Sequence, residues 1–149
     1  GLVVNKSTDM TVGRLLKEIK INQDELPQLA NHQVLSGGPV QTDRGFVLHS
    51  GDREWSSSLH LGDNIMVTTS KDILEKLTTE EGPNDFILTL GYAGWSAGQL
   101  EQELANNSWL TIDADPDLIF HTPVEQRWEK AVKKLGIDIS QLTSFAGHA

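Results

Sequence analysis

Short aliphatic and β-branched runs that end on turn residues are what most limit the folds open to this chain. Val34–Leu35 breaks at Gly37-Gly38-Pro39, and Gly45–Ser50 ("GFVLHS") follows after a polar "QTDR". Ile65–Thr69 stops at Ser70, and Phe86–Leu90 ("FILTL") stops at Gly91. Runs of this kind read as strands. Between and after them the apolar period changes to that of helices. Thr11 precedes Val12, Leu15, Leu16 and Ile19, Ser70 precedes Ile73, Leu74 and Leu77, and a helix with Leu100 and Leu104 inward follows Gly98. Strand and helix patterns interleave irregularly over 149 residues, enough chain for a buried core, so the expectation is one α+β domain with a mixed sheet.

The weaker signals give further expectations. Leu2–Val4 reads as a buried strand, Trp109–Ile112 as another, and Leu118–Phe120 as extended beyond a turn around Pro116. Residues 21–33, which hold Pro27, read mostly as loop, and Asp52–Asn64 as a polar loop carrying Trp55, Leu59 and Leu61. The clearest helix is the last. Thr122-Pro123-Val124-Glu125 combines a capping box with proline at the first helical position, and Gly136 supplies a stop. Its apolar stripe is Val124, Trp128, Ala131, Val132 and Leu135. Trp109 and Trp128 therefore read as core, while Trp55 and Trp95 fall in loops, where they pack or line a groove.

Charge and cysteine content narrow the function classes. Twelve Lys and Arg against 21 Asp and Glu leave a formal charge of −9, which repels phosphate backbones, so direct DNA binding is disfavoured. The longest basic cluster, Lys130 with Lys133 and Lys134, complements the C-terminal dipole of its own helix. No apolar run is long enough to span a bilayer as a helix. The absence of Cys excludes disulfides and thiolate metal sites and suits a cytoplasmic protein. The five histidines (His32, His49, His60, His121 and His148) show no ligand-like spacing, so no metal or cofactor is expected. His49 reads as a hydrogen-bonded sheet residue.

One motif names a reaction. Gly94–Gly98 is G-x-S-x-G, placed between a strand and a helix as in a nucleophile elbow. Such an elbow sets its serine directly off the strand, whereas Gly91–Trp95 separate Leu90 from Ser96. The alternative accounts for more residues. Ser96 with Gln99 fits a capping box, and Trp95 with Leu100 fits a hydrophobic staple. Ser96 therefore reads as a helix-start residue.

A family likeness is carried by "LSGGPVQTDRGFVLHS" (Leu35–Ser50), "TTSKDIL" (Thr68–Leu74), "LGYAGWSAGQLEQEL" (Leu90–Leu104), "NSWLTIDAD" (Asn107–Asp115) and the terminal "AGHA". From Gly1 to Ala149 the chain resembles the bacterial YqgE/AlgH family. The resemblance implies a single compact α+β domain with a mixed sheet partly curled into a small barrel and surrounded by helices. It also implies an N-terminal strand segment ahead of "GLVVNK", which this chain lacks. It brings no established catalytic residue or cofactor, and the AlgH name carries a proposed role in transcriptional regulation.

The leading expectation is a non-enzymatic binding or regulatory module acting through a protein or small-ligand partner. The alternatives are an enzyme on an anionic or polar small molecule, using Asp43, Arg44 and His49, and a transcriptional regulator. Glycines cluster in two connections, Gly37–Gly45 and Gly91–Gly98, and close backbone approach is one reason for such clustering. If the two lie side by side, Asp43, Arg44, Tyr92 and Trp95 share one surface.

Overall fold

The structure is a computed structural model that describes residues 1–21, 29 and 31–136. Its elements run β1 (Ser7–Thr11), α1 (Val12–Glu18), β2 (Gln33–Ser36), β3 (Val40–Ser50), β4 (Ser58–Gly62), β5 (Ile65–Thr68), α2 (Lys71–Leu74), β6 (Phe86–Tyr92), α3 (Gln99–Ala105), α4 (Pro116–Phe120) and α5 (Val124–Lys134). The strands form one six-stranded sheet in the order β1-β2-β6-β3-β5-β4. β2 and β6 run parallel, with Leu35 opposite Thr89, and the other pairs are antiparallel. The sheet is mixed, as expected, but it is open. β1 and β4 lie at opposite edges, so among the described residues the sheet is not closed and the small barrel implied by the family likeness is not supported.

Side-chain alternation along the two central strands builds two cores. Val47 of β3 and Leu88 of β6 point to one face, where Val12 and Leu16 of α1 and Ile73 of α2 cover them. Leu48 and Ile87, one residue along, point to the other face and pack with Ile119, Phe120 and Val124 of α4 and α5. Because both faces of the centre are covered, β6 is buried along most of its length.

Local chemistry sets the helix starts. The Thr11 hydroxyl accepts from the Arg14 N–H at 3.2 Å, as the sequence predicts for α1. At α2 the work passes from the expected Ser70 to its neighbour. The Ser70 hydroxyl donates to the Asp72 carboxylate, which also accepts from Ser56 N–H, Ser56 Oγ and Ile73 N–H. Burial alone would raise the Asp72 pKa, but these hydrogen bonds, from Ser70 first, hold it at about 2.

Several expectations need correction. Leu2–Val4 is not a strand. It is pinned by Val3 N–H to Gly37 O at 2.8 Å, and Gly1 before it exchanges two 2.8 Å bonds with Ala93, without a continuous ladder. The loop expected at Asp52–Asn64 contains β4, joined to β5 by Asp63 and Asn64 at φ 51° and 62°. Two successive positive φ values match the twist of a tight hairpin. Leu118–Phe120 lies in α4, where Pro116 opens a helix capped by the Asp115 carboxylate and does not mark a turn into extended chain.

Trp109–Ile112 forms no strand, and Trp109 and Trp128 are 49% and 50% exposed rather than core. In α5 the buried polar position is Arg127, at 7% exposure, because two backbone carbonyls accept from its guanidinium. The α5 cap position falls on Pro123, one residue beyond the expected Thr122. The loop expected at residues 21–33 lies largely outside the described residues, as do His148 and the terminal "AGHA".

Candidate functional site

The two glycine connections do pack against each other, backbone to backbone. A Cβ on Gly38 would stand 2.1 Å from the Tyr92 carbonyl carbon, and one on Gly91 would stand 2.3 Å from the Gly38 oxygen. Gly91 has φ +80°, and this left-handed residue interrupts the alternation of β6. Continued alternation would put Tyr92 on the Leu90 face. Instead its ring meets the edge of Phe46, which belongs to the opposite face, at 5.7 Å between centroids. The Arg44 guanidinium lies 5.4 Å above Phe46, so Arg44, Phe46 and Tyr92 form one cluster. Behind them on β6 the Thr89 hydroxyl is buried, with no hydrogen-bond partner among the described residues.

Trp95 begins a second cluster, three residues after Tyr92. Its indole N–H donates to Glu103 Oε2 at 3.0 Å, and the Trp109 indole donates to the same oxygen at 2.7 Å. Gln99 donates to the other carboxylate oxygen. The Glu103 pKa is lowered by these bonds, from Trp109 first, then Gln99 and Trp95. The two indoles meet edge to face at 5.9 Å, and Leu104, expected inward, and Leu110, which adjoin Glu103 and Trp109 in the chain, are exposed. Neither Trp95 nor Trp109 is wholly buried.

Ser96 lies exposed on the approach to α3. The Gln99 side chain accepts from the Ser96 N–H and hydroxyl, giving one half of the expected capping box. The cap position itself is Gly98, and the serine hydroxyl caps no backbone N–H. His121 is engaged elsewhere, between Asp117 and Asp85.

The structure divides the residues singled out from sequence. Asp43 and Arg44 are exposed near the start of β3, while His49 is 1% exposed near its end. At roughly 3.3 Å per residue, His49 lies some 16 Å along the strand from Arg44. Its ring bonds Thr68 Oγ1 at 2.8 Å and the Ser50 carbonyl at 3.0 Å, as a sheet histidine should. Burial lowers its pKa, with the Ser50 bond opposing. His49 instead borders a polar cavity of about 380 Å³ at the far end of the sheet, with Asp52, Arg53, Trp55 and Glu81. Arg53 lies 4.2 Å over Trp55 there and donates to the Glu81 carbonyl.

Sequence reading missed three residues with notable surroundings: Glu103, Arg127 and His121. Only the Trp95-to-Glu103 spacing across a helix start was a usable signal for the first. His121 Nε2 lies 2.9 Å from Asp85 and Nδ1 3.0 Å from Asp117. These hydrogen bonds, Asp85 first, and the charges behind them raise its pKa above the ordinary 6.5. Because the folded value is the higher one, the stability it contributes is fully present below about pH 6.5 and lost as pH rises through the folded midpoint. An NMR titration should place the His121 midpoint above 6.5, and Asp85→Asn should move it down. A wild-type midpoint at or below 6.5 would contradict the geometry.

Among the described residues no three His, Asp or Glu side chains are grouped to hold a metal, and no helix is long and apolar enough to cross a membrane. What fold and surface define is an α+β domain with an open mixed sheet and an aromatic face beside paired glycine loops. The profile of the AlgH-like family (DUF179) matches residues 1–140, and the chain belongs to that family. A UPF0301 protein of Pseudoalteromonas translucida is 60% identical over 149 residues, covering 100% of this chain and 80% of the relative. One from Vibrio parahaemolyticus is 52% identical over 153 residues, covering 100% and 81%. The solution structure of the AlgH protein from Pseudomonas aeruginosa matches with TM-score 0.78 and 42% identity, covering 100% of this chain and 78% of that one. A crystal structure from Corynebacterium diphtheriae, at TM-score 0.65 and 16% identity, covers 90% and 69% and shares the fold.

Proposed function

We propose that this protein is a binding module without chemistry of its own, and that it docks a protein partner on the surface around the two glycine connections. The observation that carries this reading is the pair of indoles fixed by one carboxylate, Trp95 and Trp109 on Glu103, with Leu104 and Leu110, the chain neighbours of Glu103 and Trp109, exposed. Oriented aromatic rings with apolar neighbours and a nearby arginine are the composition of interface centres. Arg44, held over Phe46 beside Tyr92, supplies such an arginine. Among the described residues Arg44 is in no ion pair, so its charge is available to a partner.

The enzymatic alternative has less support, because His49 is buried and bonded far along β3 from Asp43 and Arg44. A transcriptional effect by direct DNA contact has the formal charge of −9 against it, so in this reading any regulation passes through the partner. The cytoplasm is the compartment assumed, in keeping with a chain free of cysteine.

The test is affinity capture from bacterial extract, with the captured partner then titrated against purified variants. Trp109→Ala and Arg44→Glu should each weaken binding about tenfold or more, the range of interface hot spots. Lys17→Glu, on the exposed side of α1, should leave binding unchanged. Equal affinity of all three variants for every captured protein would remove the reading.

A further inference from the structure

At the end of the sheet away from the glycine connections, a cavity of about 180 Å³ opens where β2 and β6 begin. Leu35, Ile87, Phe120 and Val124 give it apolar walls, Asn31 and His32 stand at its rim, and Arg127 lines it from α5. His32 is exposed and stacks on Phe86 at 4.9 Å, which fixes one side of the mouth.

Arg127 makes this cavity unusual. A guanidinium has five N–H donors and keeps its charge in proteins. Here Nε donates to Thr122 O at 3.0 Å and Nη1 to Val4 O at 2.6 Å, and both acceptors are neutral carbonyls. Among the described residues no carboxylate forms an ion pair with it. The acid that acts on it electrostatically is Glu125, an exposed neighbour on the same helix. A largely buried guanidinium without an ion-pair partner among the described residues is costly unless something pairs with it. The two carbonyls fix the plane of the guanidinium in advance, and among the described residues its other N–H donors have no hydrogen-bond partner.

We propose that this cavity is a binding site for a small organic carboxylate, its carboxyl group taken by Arg127 and its short apolar body lying against Leu35, Ile87, Phe120 and Val124. A single guanidinium matches one carboxylate in charge and in its two-oxygen geometry. A phosphate dianion asks for more donors than these apolar walls supply. The site is independent of the docking surface proposed above, and either can fail alone.

The experiment is an amide and arginine-side-chain NMR titration of the full chain with butyrate, butyramide and inorganic phosphate, at constant pH and ionic strength. Butyrate should give saturable shifts at Arg127 Nε–H and at the Leu35 and Val124 amides. Butyramide, of the same shape without the charge, should bind at least about tenfold more weakly. Arg127→Leu should abolish the butyrate shifts and leave the rest of the spectrum dispersed. Should that variant fail to fold, the comparison of acid with amide on the wild-type protein still decides. No saturation below about 10 mM butyrate, or equal binding of the amide, overturns the proposal. Saturable binding of phosphate without butyrate overturns the carboxylate assignment in favour of a phosphorylated ligand.

Discussion

Gly38→Ala should cost more than about 4 kcal/mol of stability, enough to leave little folded protein at 25 °C. The added methyl would lie 2.1 Å from the Tyr92 carbonyl carbon and 2.3 Å from its oxygen. Both are backbone atoms, so no rotamer change makes room, and the two connections would have to part. The backbone there has φ +155°, so the substitution also meets strain in the free residue. Parting the connections would undo the Gly37 N–H bond to Leu90 O, 2.8 Å long, and the contacts that place Tyr92 against Phe46. Urea unfolding followed by tryptophan fluorescence measures the effect. A loss under about 1 kcal/mol would mean that the close approach is not rigid.

Leu88→Ala should cost about 2–5 kcal/mol, the next largest effect expected. Leu88 is 1% exposed in the central strand, and its cluster holds Val47, Leu16 and Ile73, which belong to three other elements. These surroundings are fixed by strand pairing on one side and by helices on the other, so the vacated volume cannot easily collapse. Leu59→Ala and Leu61→Ala are the internal controls. Those leucines are 63% and 52% exposed on the edge strand, and each change should stay within about 0.5 kcal/mol. If Leu88→Ala matched them, β6 would not be the shared wall of the two cores.

How far the sequence could be read depended on where each residue found its partners. β2, β5 and most of β6 were legible because a strand buried on both faces has to be continuously apolar. β4 was not, since an edge strand tolerates Ser58, His60 and Gly62 and its exposed leucines look like any loop. Trp109 and Trp128 were misplaced for a related reason. An apolar ring is read as core by default, yet a lone carboxylate, Glu103, can hold an indole at the surface. The inward place in α5 went to Arg127, which pattern reading assigns to solvent, because its acceptors at Val4 and Thr122 are set by the tertiary fold. For the candidate surface, the glycines gave the approach of the two connections, but nothing local brought Trp109 to Trp95. The interleaved patterns gave the α+β class and the mixed sheet, and the family likeness added a closure that the open sheet does not have.

The parallel pairing of β2 with β6 bears on how quickly the molecule can assemble. β4 and β5 form a tight hairpin, and β3 pairs with β5 across the one intervening strand, so this half of the sheet can form from chain close in sequence. Leu35 and Thr89, by contrast, meet only after all of β3, β4, β5 and α2 have been threaded between them. Contacts of that separation raise contact order and slow the search for the native state. The glycine approach between residues 38 and 91 sits on this same late-closing boundary. Until it closes, one edge each of β2 and β6 is bare and open to another chain, so yield on refolding should fall as protein concentration rises.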